Sequence, residues 1–79
     1  MTEQRTGLRR RLLKAGTIAF AGSDIDCTVR NISGTGAALD ISDPIAVPAH
    51  FRLLVGDVID RTCRVAWRKP GRIGVDFIR

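Results

Sequence analysis

Two groups of residues in this chain have types and spacing that could do chemistry. The first is Arg5-x-x-x-Arg9, a pair that Arg10 and Arg11 extend into a basic run. A guanidinium is a planar fork of N–H donors. It can grip phosphate oxygens or the guanine edge in bidentate fashion, which an ammonium cannot. Two such groups at this spacing could clamp an anion from two sides. The second group is Asn31-x-Ser33-x-x-Gly36. Strand residues two apart point the same way, so the amide of Asn31 and the hydroxyl of Ser33 would offer donors and acceptors together. Gly36 would let the backbone approach a ligand closely or take a positive φ. Taken singly, each group also fits a plainer role: a solvated basic face for the arginines, and an Asx or Ser turn with a glycine exit for the second stretch.

The rest of the composition narrows the chemistry. The chain has 79 residues, 44% of them apolar, which is one small domain with enough apolar content for a core. Lys plus Arg is 13 against 8 for Asp plus Glu, a net charge of +5, and only Lys14 and Lys69 are lysines. That balance points to an anionic partner, and the arginine bias to a phosphate or nucleotide. The single histidine, His50, reads as a surface residue at a strand start. Asp24, Asp26 and Asp40 are too spread out to argue for a metal site. Gly34-x-Gly36 lacks the third glycine and the following helix of a dinucleotide fingerprint. No paired carboxylates, and no nucleophile with its base, can be assembled, so an enzyme is not expected. No apolar run approaches the length of a transmembrane helix. The basic N-terminus has no apolar stretch after it that would make a secretory signal. Cys27 and Cys63 match no zinc spacing and are expected as reduced, buried thiols in a cytoplasmic protein.

The elements that must position these residues are strands. Residues 1–14 read as a flexible basic arm, and 15–79 as the folded domain. A strand is expected over Gly16 to Ala21. Ile25, Cys27 and Val29 alternate with polar residues as a half-buried strand. After the turn-rich stretch from Asn31 to Gly36 come Ala37, Leu39 and Ile41 on one face. Pro44 and Pro48 bound a loop too short for a helix. Phe51, Leu53 and Val55 follow, then Gly56-Asp57 as a two-residue hairpin turn. Cys63, Val65 and Trp67 read inward, with Thr62, Arg64 and Arg68 outward. Lys69-Pro70-Gly71 is a tight turn before Ile73, Val75 and Phe77. On these grounds Trp67 is core or barrel rim rather than a stacking platform. Six short strands with regular turn signals make an all-β fold, a small six-stranded antiparallel β-barrel, since closure removes sheet edges.

The order of these features resembles the PilZ domain, a family of bacterial receptors for cyclic di-GMP. The resemblance rests on Arg5-Thr6-Gly7-Leu8-Arg9 and on Asn31-Ile32-Ser33-Gly34-Thr35-Gly36. It is supported by Cys63-Arg64-Val65-Ala66-Trp67 with Ile73-Gly74-Val75-Asp76-Phe77 as the closing strands. It implies a split-barrel type of six-stranded fold, here with no C-terminal helix after the last strand. It also implies that Arg5 and Arg9 contact guanine edges and phosphates; Arg10 or Arg11 could stack on a base or add a phosphate contact. Asn31 and Ser33 would hydrogen-bond a guanine from the barrel surface, and Gly36 would permit the close approach.

The expected function is therefore a non-catalytic regulatory module that binds cyclic di-GMP and signals to a downstream protein by ordering its arginine arm. No cofactor, membrane insertion or specific nucleic acid is implied. Two other readings stand beside it. A degenerate PilZ domain could serve as a protein-interaction adaptor without nucleotide. A small barrel could bind single-stranded nucleic acid, although three Phe, one Trp and no Tyr leave little for base stacking.

Overall fold

The computed structural model describes residues 10–78, with side chains from residue 13 onward. Six strands appear in chain order: β1 (Arg10–Phe20), β2 (Ser23–Ile32), β3 (Gly36–Asp40), β4 (His50–Val55), β5 (Ile59–Lys69) and β6 (Arg72–Phe77). All neighbours are antiparallel, and the sheet closes in the order β1-β2-β3-β6-β5-β4. The seam that closes the barrel is short. It consists of Thr17, Ile18 and Ala19 of β1 opposite Leu54, Leu53 and Arg52 of β4. The expected all-β, six-stranded antiparallel barrel is the fold observed. No α-helix occurs among the described residues; the proline-bounded loop holds a single 3₁₀ turn, Pro44–Ala46.

Period-two alternation fills the barrel as expected. Ile18, Cys27, Val29, Leu39, Ile41, Val47, Phe51, Leu53, Val55, Cys63, Ile73 and Val75 are buried, and no polar side chain is buried with them among the described residues. Each such side chain contributes on the order of 1.5–3 kcal/mol by leaving water. Cys27 and Cys63 are free thiols inside this core. Burial pushes both up to about 11, and the nearby Asp26 adds to the shift at Cys27.

The structure departs from the sequence expectations at three places. Strand β1 begins at Arg10, whereas the expected arm extended through residue 14. Arg10 and Arg11 pair with Ile32 and Asn31 of β2, and a bulge between Arg11 and Lys14 breaks the alternation that would have marked the strand. The hairpin between β4 and β5 has three loop residues, because Val55 pairs with Ile59 and Val58 N–H donates to Val55 O at 3.3 Å. Trp67 does not face the core. A bulge at Ala66 separates the pairs Val65–Val75 and Trp67–Gly74 and turns the following residue outward.

The chain crosses one end of the barrel between β3 and β4, and Arg68 holds this crossing in place. Its guanidinium donates to Val47 O at 2.7 Å and also to Pro44 O. These carbonyls, at the start of the 3₁₀ turn and just beyond its end, are fixed to β5. The six arginines with described side chains all have partners. Arg30 and Arg72 meet Asp40, Arg52 meets Asp60, Arg64 meets Asp76, Arg68 meets the crossing loop, and Arg61 lies over the Phe77 ring. The Arg52 guanidinium holds the Asp60 carboxyl below the usual carboxylate range.

Candidate functional site

Bulges build the site. On β2, Val29 pairs with Leu39 and Asn31 with Ala38, so Arg30 is the extra residue. Strict alternation would point Asn31 inward with Cys27 and Val29. The bulge reverses this: Ile32 packs against the core and Asn31 lines an outer cavity. The bulge at Ala66 does the same for Trp67 on β5. A single cross-strand row results, running Arg11–Asn31–Ala38–Gly74–Trp67 over β1, β2, β3, β6 and β5.

The cavity along this row has a volume of about 430 Å³. Its floor is made of small residues, Ala37, Ala38, Gly74 and Ala66. Asn31, Ser33 and Thr35 form one wall, and Trp67, Lys69, Arg72 and Asp76 line the remainder. Small floor residues are what make the surface concave. Gly74 is the sharpest case, since a Cβ there would collide with the Trp67 indole. The indole therefore lies flat across β6, 41% exposed, with Lys69 Nζ over its ring at 5.2 Å. Arg72 is oriented by Asp40, which accepts from its Nε at 2.7 Å and also faces Arg30 at 3.4 Å.

The stretch from Asn31 to Gly36 forms a tight loop. Ser33 N–H donates to Gly36 O at 2.8 Å, and Thr35 N–H donates to Ser33 Oγ at 3.2 Å. The Ser33 hydroxyl thus shapes its own turn, yet it remains on the cavity wall beside Asn31. Gly36 has a different use from the two expected of it. It is not among the positive-φ glycines, and a Cβ would strike the Val75 carbonyl oxygen. Its missing side chain is required by the close approach of β6.

Of the expected site residues, the structure brings Asn31, Ser33 and Gly36 to one cavity. Arg5 and Arg9 lie outside the described residues. Arg10 is described by its backbone, which pairs with Ile32; Arg11, its neighbour, is the residue opposite Asn31. Trp67, Lys69 and Arg72 were missed as site residues. The sequence did hold a signal for Trp67: a glycine inside a strand pattern, here Gly74, marks a close approach by another group. Among the described residues, no group of three or more His, Cys, Asp or Glu could hold a metal ion, and no helix is long and apolar enough to cross a membrane.

The geometry is that of a closed antiparallel barrel with an open, polar-walled cavity on its outer face, beside the strand that begins at Arg10. Comparison with protein families makes the class specific. The model of the PilZ domain matches residues 3–79, essentially the whole chain. The chain belongs to the PilZ domain family, whose members are typically non-catalytic regulatory modules and generally receptors for cyclic di-GMP. Neither the curated proteins nor the solved structures give a significant match.

Proposed function

We propose that this PilZ domain binds cyclic di-GMP in the cavity beside Asn31 and signals to a protein partner by ordering its N-terminal arginines. The observation that carries the reading is the convergence at one cavity of an amide, a hydroxyl, an exposed indole and two cations. These groups suit a ligand with purine faces, base edges and phosphates: stacking for the indole, hydrogen bonding for Asn31 and Ser33, charge for Lys69 and Arg72.

The chain path adds support. Arg11 is the register partner of Asn31, so the arginine motif leads directly into the strand at the cavity's edge. At most about 18 Å of extended chain separates the Cα atoms of Arg5 and Arg10. Both motif arginines are thus within reach of a ligand seated on Asn31. Cyclic di-GMP is a dianion, and neutralising it with guanidinium groups would order the segment against the barrel. Docking the segment in this way would present a new surface to a partner.

Trp67 is the chain's single tryptophan, so its fluorescence reports on the site directly. Titration with cyclic di-GMP is expected to change its emission with saturation. Arg9→Ala is expected to weaken that binding more than tenfold. An Arg9→Ala titration indistinguishable from the original protein would remove the arginine assignment. Absence of any response from the original protein would favour the adaptor reading, in which the barrel serves protein contacts alone.

A further inference from the structure

One group on the cavity wall runs against the rest. Asp76 is the one acid among the cavity's described lining residues, whose charged members are otherwise Lys69 and Arg72. Strand β6 places it two residues beyond Gly74, opposite Gly36 on β3 and Arg64 on β5. Its Oδ2 faces Arg64 at 3.3 Å, and its Oδ1 has no protein partner among the described residues. Both members of that pair are more than half exposed, so the pair adds little to stability. A carboxylate beside a phosphate ligand is unfavourable on charge alone. It becomes favourable only if the ligand offers donors to it.

Guanine offers two such donors side by side. Its N1–H and N2–H₂ lie on one edge, and the two oxygens of a carboxylate can accept both, a charge-assisted bidentate arrangement. Adenine places an acceptor nitrogen where guanine has N1–H, so the same carboxylate would repel it. Asn31 cannot supply this discrimination alone, because an amide has one acceptor oxygen and can turn its donor to either base. The cations Lys69 and Arg72 lie toward the hairpin of β5 and β6, on the far side of Gly74 from Asp76. A ligand spanning the cavity can set its phosphates toward them and a base edge toward Asp76.

We propose that Asp76 reads the N1–N2 edge of a guanine and gives the site its preference for guanine over adenine. This rests on the cyclic di-GMP reading of the cavity. Asp76 is then a specificity-determining residue, and its negative charge is retained in an anion site for that purpose.

The test compares the original protein, Asp76→Asn and Arg64→Ala by calorimetric titration with cyclic di-GMP, cyclic di-AMP and the inosine analogue, which lacks the N2 amino group. The original protein is expected to prefer cyclic di-GMP over both others. Asp76→Asn is expected to lose about tenfold in affinity for cyclic di-GMP, and to bind cyclic di-AMP equally or more tightly. Arg64→Ala should keep the preference, which separates base reading from loss of the ion pair. If Asp76→Asn tightens all three ligands together, or changes none, Asp76 is only a nearby charge and the proposal falls while the binding site stands. If the original protein binds no cyclic di-GMP, the reading of the cavity falls and the proposal with it.

Discussion

Two glycines separate two kinds of crowding, and replacing each by alanine tests how the cavity is built. At Gly74 the added methyl meets the Trp67 indole, a side chain that can swing outward. Overpacking of this kind costs about 1–2 kcal/mol, and the indole must leave its flat seat on β6. At Gly36 the methyl meets the Val75 carbonyl oxygen, which cannot move unless β3 and β6 part. That would disturb the pairing of Gly36 with Asp76 and the loop closed by Ser33 N–H, at a cost of about 3 kcal/mol or more. For a domain of this size each kcal/mol shifts Tm by about 4–8 °C. Gly74→Ala should therefore melt about 4–16 °C lower, and Gly36→Ala about 12–24 °C lower or more. Thermal unfolding followed by circular dichroism gives the first quantity. Tryptophan emission gives the second, with a red shift expected for Gly74→Ala as the ring enters water. A Gly36→Ala variant that melts like the original protein would refute the claim that this glycine serves the barrel. An unshifted emission in Gly74→Ala would refute the flat seating of Trp67.

Trp67→Ala should lower the melting temperature about as much as Gly74→Ala, because both lose the indole's seat on β6 while the core inside the barrel stays intact. It should weaken cyclic di-GMP binding by about tenfold through lost stacking, as measured by calorimetry. Arg68→Ala removes the donors that hold Val47 O and Pro44 O and should cost about 1 kcal/mol. Limited proteolysis should then cut faster within residues 43–48. The two buried thiols make stability fall in alkali. In the unfolded chain they ionise near 9.0, in the folded chain near about 11, so the unfolded state sheds its protons first. Their contribution is complete below pH 9 and is lost as pH rises from there through about 11. Urea midpoints measured across this range should decline, and Cys27→Ala with Cys63→Ala should flatten the decline. A midpoint that stays constant in the original protein would contradict the burial of the thiols.

The fold was legible because most of the chain obeys one period. Cys27, Val29, Leu53 and Val75 are buried where alternation put them, and the six strands follow from that pattern with its turn residues. The site was only half legible. Asn31 and Ser33 were picked by type and spacing, and both line the cavity. The assumption that carried them there, uninterrupted alternation, is the one the structure breaks. A bulge adds a single residue and reverses the faces beyond it, and nothing in the types of Arg30 or Ala66 announces it. That is why Trp67 read as core, and the bulge between Arg11 and Lys14 is why β1 seemed to start six residues late. Gly36 shows the converse. Its identity was recognised as meaningful, but the group that approaches it is the Val75 carbonyl, a contact set by pairing between strands far apart in sequence.

The most direct test of the central claim is a calorimetric titration of the purified protein with cyclic di-GMP, using GTP as the control ligand. Saturable binding is expected for cyclic di-GMP and not for GTP, with affinity falling as salt rises because two phosphates must be neutralised. Absence of heat with cyclic di-GMP, together with an unchanged Trp67 emission at high ligand concentration, would contradict the account.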